Sequence, residues 1–135
     1  KVTPTGGDTS WENAKSHCSR LVLDGGGWRL PTIGELRSLI RGCPATEAGG
    51  SCSVKKGACL ARSCRDDSCN GCGNFGGPAN GCYWPHYIQG ACTLYWSSSP
   101  VGDDDGYAWH VFFNSGLVYD GYFFVSSGSP VRCVR

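Results

Sequence analysis

Trp28-Arg-Leu-Pro-Thr-Ile-Gly-Glu-Leu36 is the stretch from which the rest of the chain can be read. Trp28-Arg-Leu30 reads as a short strand, and Pro31, which has no N–H to give to a ladder, ends it. Thr32 and Glu35 stand at the spacing of a capping box, so a helix begins there. Ile33, Leu36, Leu39 and Ile40 recur at helical spacing and give that helix its buried face. Gly42 is a suitable stop.

Working outward toward the N-terminus, Asp24-Gly-Gly-Gly27 is a turn. Before it, Thr9 and Glu12 repeat the capping-box spacing and predict a first helix. Trp11, Ala14, Cys18 and Leu21 form its apolar face, so Cys18 points inward. Beyond Gly42 the character changes. The chain has ten cysteines in 135 residues, and eight of them lie between Cys43 and Cys92. The residues between them are mostly Gly, Ser, Asn and Asp, which cannot bury enough apolar surface to order themselves. Disulfides stabilise such a segment by restricting its unfolded state, by about 2–4 kcal/mol each. About a hundred pairings of eight cysteines are open to sequence reasoning. The spacing of Cys64, Cys69, Cys72 and Cys82 overlaps zinc and iron–sulfur patterns. The even count and the oxidising compartment implied by so many cysteines favour disulfides within 43–92 instead.

After Cys92 the chain is aromatic and β-branched. Tyr95-Trp-Ser-Ser-Ser99 reads as a strand closed by Pro100, and Asp103-Asp-Asp105-Gly106 as a turn. Tyr107 to Phe113 is a strong strand. Asn114-Ser-Gly116 is a hairpin turn. Leu117 to Val125 is a second strand broken by Gly121, and Val131-Arg-Cys-Val-Arg135 is a last one. Helices first and an antiparallel meander afterwards make the class α+β. Residues 1–135 read as one domain, with 43–92 as a cysteine-rich insertion. Lys plus Arg is 12 and Asp plus Glu is 11, so the net charge of +1 gives no footprint for nucleic acid. No apolar run approaches the roughly 20 residues of a membrane span. Lys1 reads as the start of a processed or excised chain of an exported protein.

Trp11-Glu-Asn-Ala-Lys15 with Cys18, the Trp28–Leu36 run, Tyr95-Trp-Ser-Ser-Ser99, Ala108-Trp109, Phe113, Gly116 and the ending Val131-Arg-Cys-Val-Arg135 resemble the Lcl C-terminal domain family. That family is named for the terminal domain of a bacterial collagen-like adhesin. The match covers both flanks of the cysteine block, which looks like an insertion into the family's pattern. The resemblance implies a C-type-lectin-like fold, with two helices packed on small antiparallel sheets, and a disulfide joining Cys18 to Cys133. It implies a secreted or surface-displayed binding module. Some such modules are variable proteins of diversity-generating retroelements, in which the final strands carry changeable residues. The fold usually has a strand before the first helix, and here only Lys1-Val-Thr-Pro4 precedes Gly6-Gly7. That strand is either cut short or supplied by another chain.

Alternation places Tyr107, Trp109, Val111 and Phe113 on one face, matched to the family's core. His110 and Phe112 then face the other way, and with Tyr119, Asp120, Tyr122 and Phe124 they form the candidate ligand-binding set. Tyr and Trp suit such a surface because they bring large contact area with few rotors. Either this patch is open or a second layer, such as the cysteine block, covers it. The ligand would be a protein or a glycan at a surface, bound non-covalently. Asp103, Asp104 and Asp105 could offer oxygens to calcium, but a solvated acidic turn is the expectation. No other cofactor is expected. The sugar-binding triplets of calcium-dependent lectins are absent. The formylglycine-generating enzymes share the broad fold and use reactive cysteines, yet every cysteine here can be absorbed into disulfides, so no catalysis is expected. The alternative from another class is a structural subunit of a surface fibre or assembly, in which a sheet short of an edge strand accepts one from a neighbour.

Overall fold

The computed structural model describes residues 10–54, 59–103, 106–122 and 130–135. The aromatic and β-branched run after Cys92 builds an antiparallel sheet of β1 (Leu94–Pro100), β2 (Tyr107–Phe112) and β3 (Leu117–Tyr122), in the order β1-β2-β3. Register places Trp96 opposite His110, and His110 opposite Tyr119. The β2–β3 turn starts at Phe113, whose N–H is drawn to Thr93 O at 3.0 Å, and closes at Gly116, where φ is +75°. Gly121 does not break β3. It pairs with Ala108, itself wholly buried, so two small residues meet across the ladder. The expected continuation from Phe123 to Val125 lies outside the described residues.

Helix α1 spans Trp11–Ser19 and buries Trp11, Ala14 and Cys18. Its cap is Ser10, whose Oγ accepts from Asn13 N at 3.4 Å, so the start falls one residue later than the Thr9–Glu12 spacing predicted. Thr9 lies outside the described residues, and Glu12 pairs with Lys15 at 3.3 Å. Helix α2 spans Ile33–Leu39 and has the predicted capping box. Glu35 N donates to Thr32 Oγ1 at 3.2 Å, and Thr32 N donates to Glu35 Oε1 at 2.8 Å. The predicted strands at 28–30 and 131–135 shrink to a single bridge between Arg29 and Val134. Pro31 explains the brevity. It removes the next ladder donor, and its carbonyl accepts from Ser98 N on β1 instead.

The sheet is packed on both faces. On one, Tyr95, Trp109, Val111, Phe113 and Val118 join Ile33 and Leu36 of α2 and Val54, Tyr83 and Trp84 of the insertion. On the other, Trp96 and Ala108 join Trp11, Ala14 and Cys18 of α1, with Trp28, Leu30 and Val131. The Cys18–Cys133 disulfide, Cα–Cα 5.5 Å, ties α1 to the terminal segment. Segment 43–92 is closed on itself by Cys43–Cys72, Cys52–Cys69, Cys59–Cys64 and Cys82–Cys92. Each cysteine of the metal-like spacing is therefore taken up by a different disulfide.

One charged side chain anchors the insertion to the frame. Arg37 is 2% exposed, whereas Leu39, expected inside, is only half-buried. Its guanidinium donates to four carbonyls: Thr46 at 2.8 Å, Glu47 at 2.7 Å, Cys52 at 2.9 Å and Val54 at 2.7 Å. The planar fork of arginine suits this convergence, and lysine's point charge does not. Burial lowers the Arg37 pKa from its ordinary value, but the carbonyl cage stands in for the water the ion has lost.

Candidate functional site

The expected ligand face is the side of the sheet that carries the cross-strand row Trp96, His110 and Tyr119. Tyr119 is 43% exposed and Phe112 half-buried, so both reach solvent. His110 does not, being 4% exposed. Its ring meets Trp96 edge-on at 5.4 Å and Phe112 at 5.1 Å, with Tyr119 at 6.0 Å. His110, expected to face a ligand, is instead buried beneath Phe112 and Tyr119. Among the described residues neither His110 ring nitrogen has a hydrogen-bond partner, and burial pushes its pKa down to about 3, so the imidazole is neutral at physiological pH.

Asp120 is also displaced from its expected place. Strand alternation sets it beside Trp109's register position, on the face opposite His110 and Tyr119. There it pairs with Arg62 Nε at 2.9 Å. Tyr122 pairs through its backbone with Tyr107, and Phe124 lies outside the described residues. Asp103, the described member of the calcium triplet, accepts from Arg62 N at 2.8 Å. It fastens the start of a 3-10 turn, Arg62–Cys64, rather than standing free for an ion. Asp104 and Asp105 lie outside the described residues.

The residues that sequence reasoning missed are the two arginines that brace the hairpin from the insertion. Arg62 lies over the Tyr107 ring at 4.7 Å, and Arg65 over the Tyr119 ring at 4.3 Å. Arg65 Nε also donates to Val118 O at 3.2 Å, filling a carbonyl on the outer edge of β3. Cys72 N and Phe75 N donate to Ser115 O and Asn114 O, at 2.6 and 2.7 Å, so the hairpin turn is held as well. Gly71 makes this approach possible, because a Cβ there would lie 2.4 Å from Ser115 O. No local pattern around Arg62 or Arg65 announces these contacts, which span more than fifty residues of chain. Arg37 did leave a trace: with Ile33 and Ile40 it falls at i, i+4 and i+7 on the buried face.

The arrangement defines an α+β domain whose β2–β3 hairpin is clamped by the disulfide-stapled segment 43–92, leaving Tyr119 and Phe112 at the surface. The chain belongs to the Lcl C-terminal domain family, whose family model matches residues 1–135. No curated protein and no solved structure matches it. Among the described residues, no helix is long and apolar enough to cross a membrane.

Proposed function

We propose that the chain is a bacterial extracellular or cell-surface binding module with a C-type-lectin-like fold, recognising a protein or glycan through its terminal hairpin. The observation that carries this reading is the bracing of Tyr119. An exposed aromatic sits over a buried imidazole, with Arg65 stacked on it from a segment that disulfides hold. Rigid aromatic anchors lose little entropy when they bind, which is why recognition surfaces favour them. Five disulfides suit an oxidising compartment and leave no thiol for redox catalysis. The test is a glycan array together with a pull-down from cell-surface extracts, run on the native chain and on Phe112→Ala with Tyr119→Ala. Loss of every hit in the double variant supports the hairpin surface. Unchanged binding moves the site elsewhere on the molecule.

A further inference from the structure

The ten cysteines differ in exposure. Cys72 is exposed, Cys59 and Cys92 are half-buried, and the other seven are buried. Cys72 lies in Asn70-Gly-Cys-Gly-Asn74, where neither neighbour has a side chain to screen its sulfur. Its disulfide partner Cys43 is wholly buried. From Asn70 to Gly81 the chain carries no acid, so this stretch offers no carboxylate to repel an approaching anion.

The same disulfide belongs to the clamp on the hairpin. Cys72 N donates to Ser115 O at 2.6 Å, and Cys43 Sγ lies 3.1 Å from where a Cβ on Gly116 would stand. The bond therefore packs on the turn between β2 and β3. Cys52–Cys69 is nested inside it in sequence, and both of those cysteines are wholly buried. Opening Cys43–Cys72 thus frees the outer ends of the segment locally, while the inner bond still holds them near each other.

We propose that Cys72 is a thiol-exchange site, at which a small-molecule thiol such as glutathione is captured as a mixed disulfide and the hairpin turn is released from its clamp. A thiolate must approach one sulfur in line with the S–S bond, so access decides which sulfur is attacked. The incoming sulfur bonds to Cys72 Sγ, the bond between the two Sγ atoms breaks, and Cys43 Sγ leaves with its electron pair. Cys43 then takes up a proton, because apolar surroundings disfavour a thiolate. One disulfide replaces another, so the step needs no oxidant or reductant beyond the thiol itself. Attack at Cys43 would have to pass through packed core. The Cys43 thiol in turn attacks the mixed disulfide and expels the small thiol, which makes the modification reversible. This site stands whether or not the hairpin binds a ligand.

The experiment exposes the native chain, without denaturant, to reduced glutathione at about pH 8, where a useful fraction of such a thiol is ionised. Excess N-ethylmaleimide stops the reaction, and peptide mapping locates the products. The first product carries glutathione on Cys72 and maleimide on Cys43, with the other four disulfides intact. It forms at least about tenfold faster than any product at another bond. In that product the amide signals of Ser115 and Gly116 shift, while those of α1 do not. Gly73→Glu puts a carboxylate beside Cys72 in open space, since nothing lies within 4 Å of a Cβ there. It slows anionic glutathione severalfold and leaves cationic cysteamine unslowed. First opening at another disulfide overturns the proposal, as does glutathione on Cys43 or the loss of several bonds together. So does an unshifted turn, or a Gly73→Glu chain that reacts with glutathione at the native rate.

Discussion

Acidification should weaken this fold through His110 alone over the first pH units below neutrality. In the folded chain its pKa is about 3, because burial opposes the charged form. In the unfolded chain it returns to about 6.5. The folded pKa is the lower one, so the unfolded state takes up a proton first as the pH falls. The stabilisation is complete above about pH 6.5, declines from there toward pH 3, and then levels off. Each pH unit inside that window costs about 1.4 kcal/mol, so going from about pH 8 to about pH 5 removes roughly 2 kcal/mol. For a domain of this size that lowers Tm by roughly 6–10 °C. The assay is denaturant unfolding at a series of pH values with the disulfides intact, on the native chain and on His110→Phe. The variant should lose the slope and be at least as stable at neutral pH, since it removes two buried nitrogens that have no partner among the described residues. A flat profile in the native chain, or an equal slope in the variant, refutes the reasoning.

Replacing Arg37 with Met strands four carbonyls that its guanidinium satisfies, and should cost about 4 kcal/mol in chemical unfolding, with Arg37→Lys recovering only part. Paired Cys18→Ser and Cys133→Ser should lower stability by about 3–5 kcal/mol, because that disulfide closes a span of 115 residues. A double-mutant cycle on Arg62→Ala and Asp120→Ala should give a coupling of at most about 1 kcal/mol, falling with added salt, since Arg62 is partly exposed. Arg29 grips Glu35 with both nitrogens and holds its carboxyl at about pKa 2. The carboxylate is partly solvated, so Glu35→Gln should cost under about 1 kcal/mol at neutral pH, and nothing once the pH falls through the folded value.

What the sequence made legible was local. Thr32 and Glu35 lie within one turn, and the structure has their reciprocal bonds where the spacing put them. The β2–β3 hairpin followed from aromatic alternation on either side of Asn114-Ser-Gly116. The first helix shifted by one residue because Ser10, the better cap of two adjacent hydroxyl residues, takes the position. The strand reading of Trp28-Arg-Leu30 failed because its partner is one residue near the far end of the chain. At the site, alternation put His110 and Phe112 on the second face, but it could not show that Trp96 and Tyr119 close over the imidazole. Nor could it foresee Arg62 claiming both Asp103 and Asp120, since disulfides rather than periodicity bring that arginine to the hairpin.

The Cys18–Cys133 bond also decides how this domain carries load. Tension applied from outside both cysteines passes from one to the other through a single covalent link. The sheet, α2 and the stapled segment 43–92 lie between them in sequence, and so sit off the force path, whereas most of α1 precedes Cys18. Pulling on the segments outside the two cysteines therefore leaves the hairpin unstretched. Only reduction of that one bond would place the hairpin in series with the applied force.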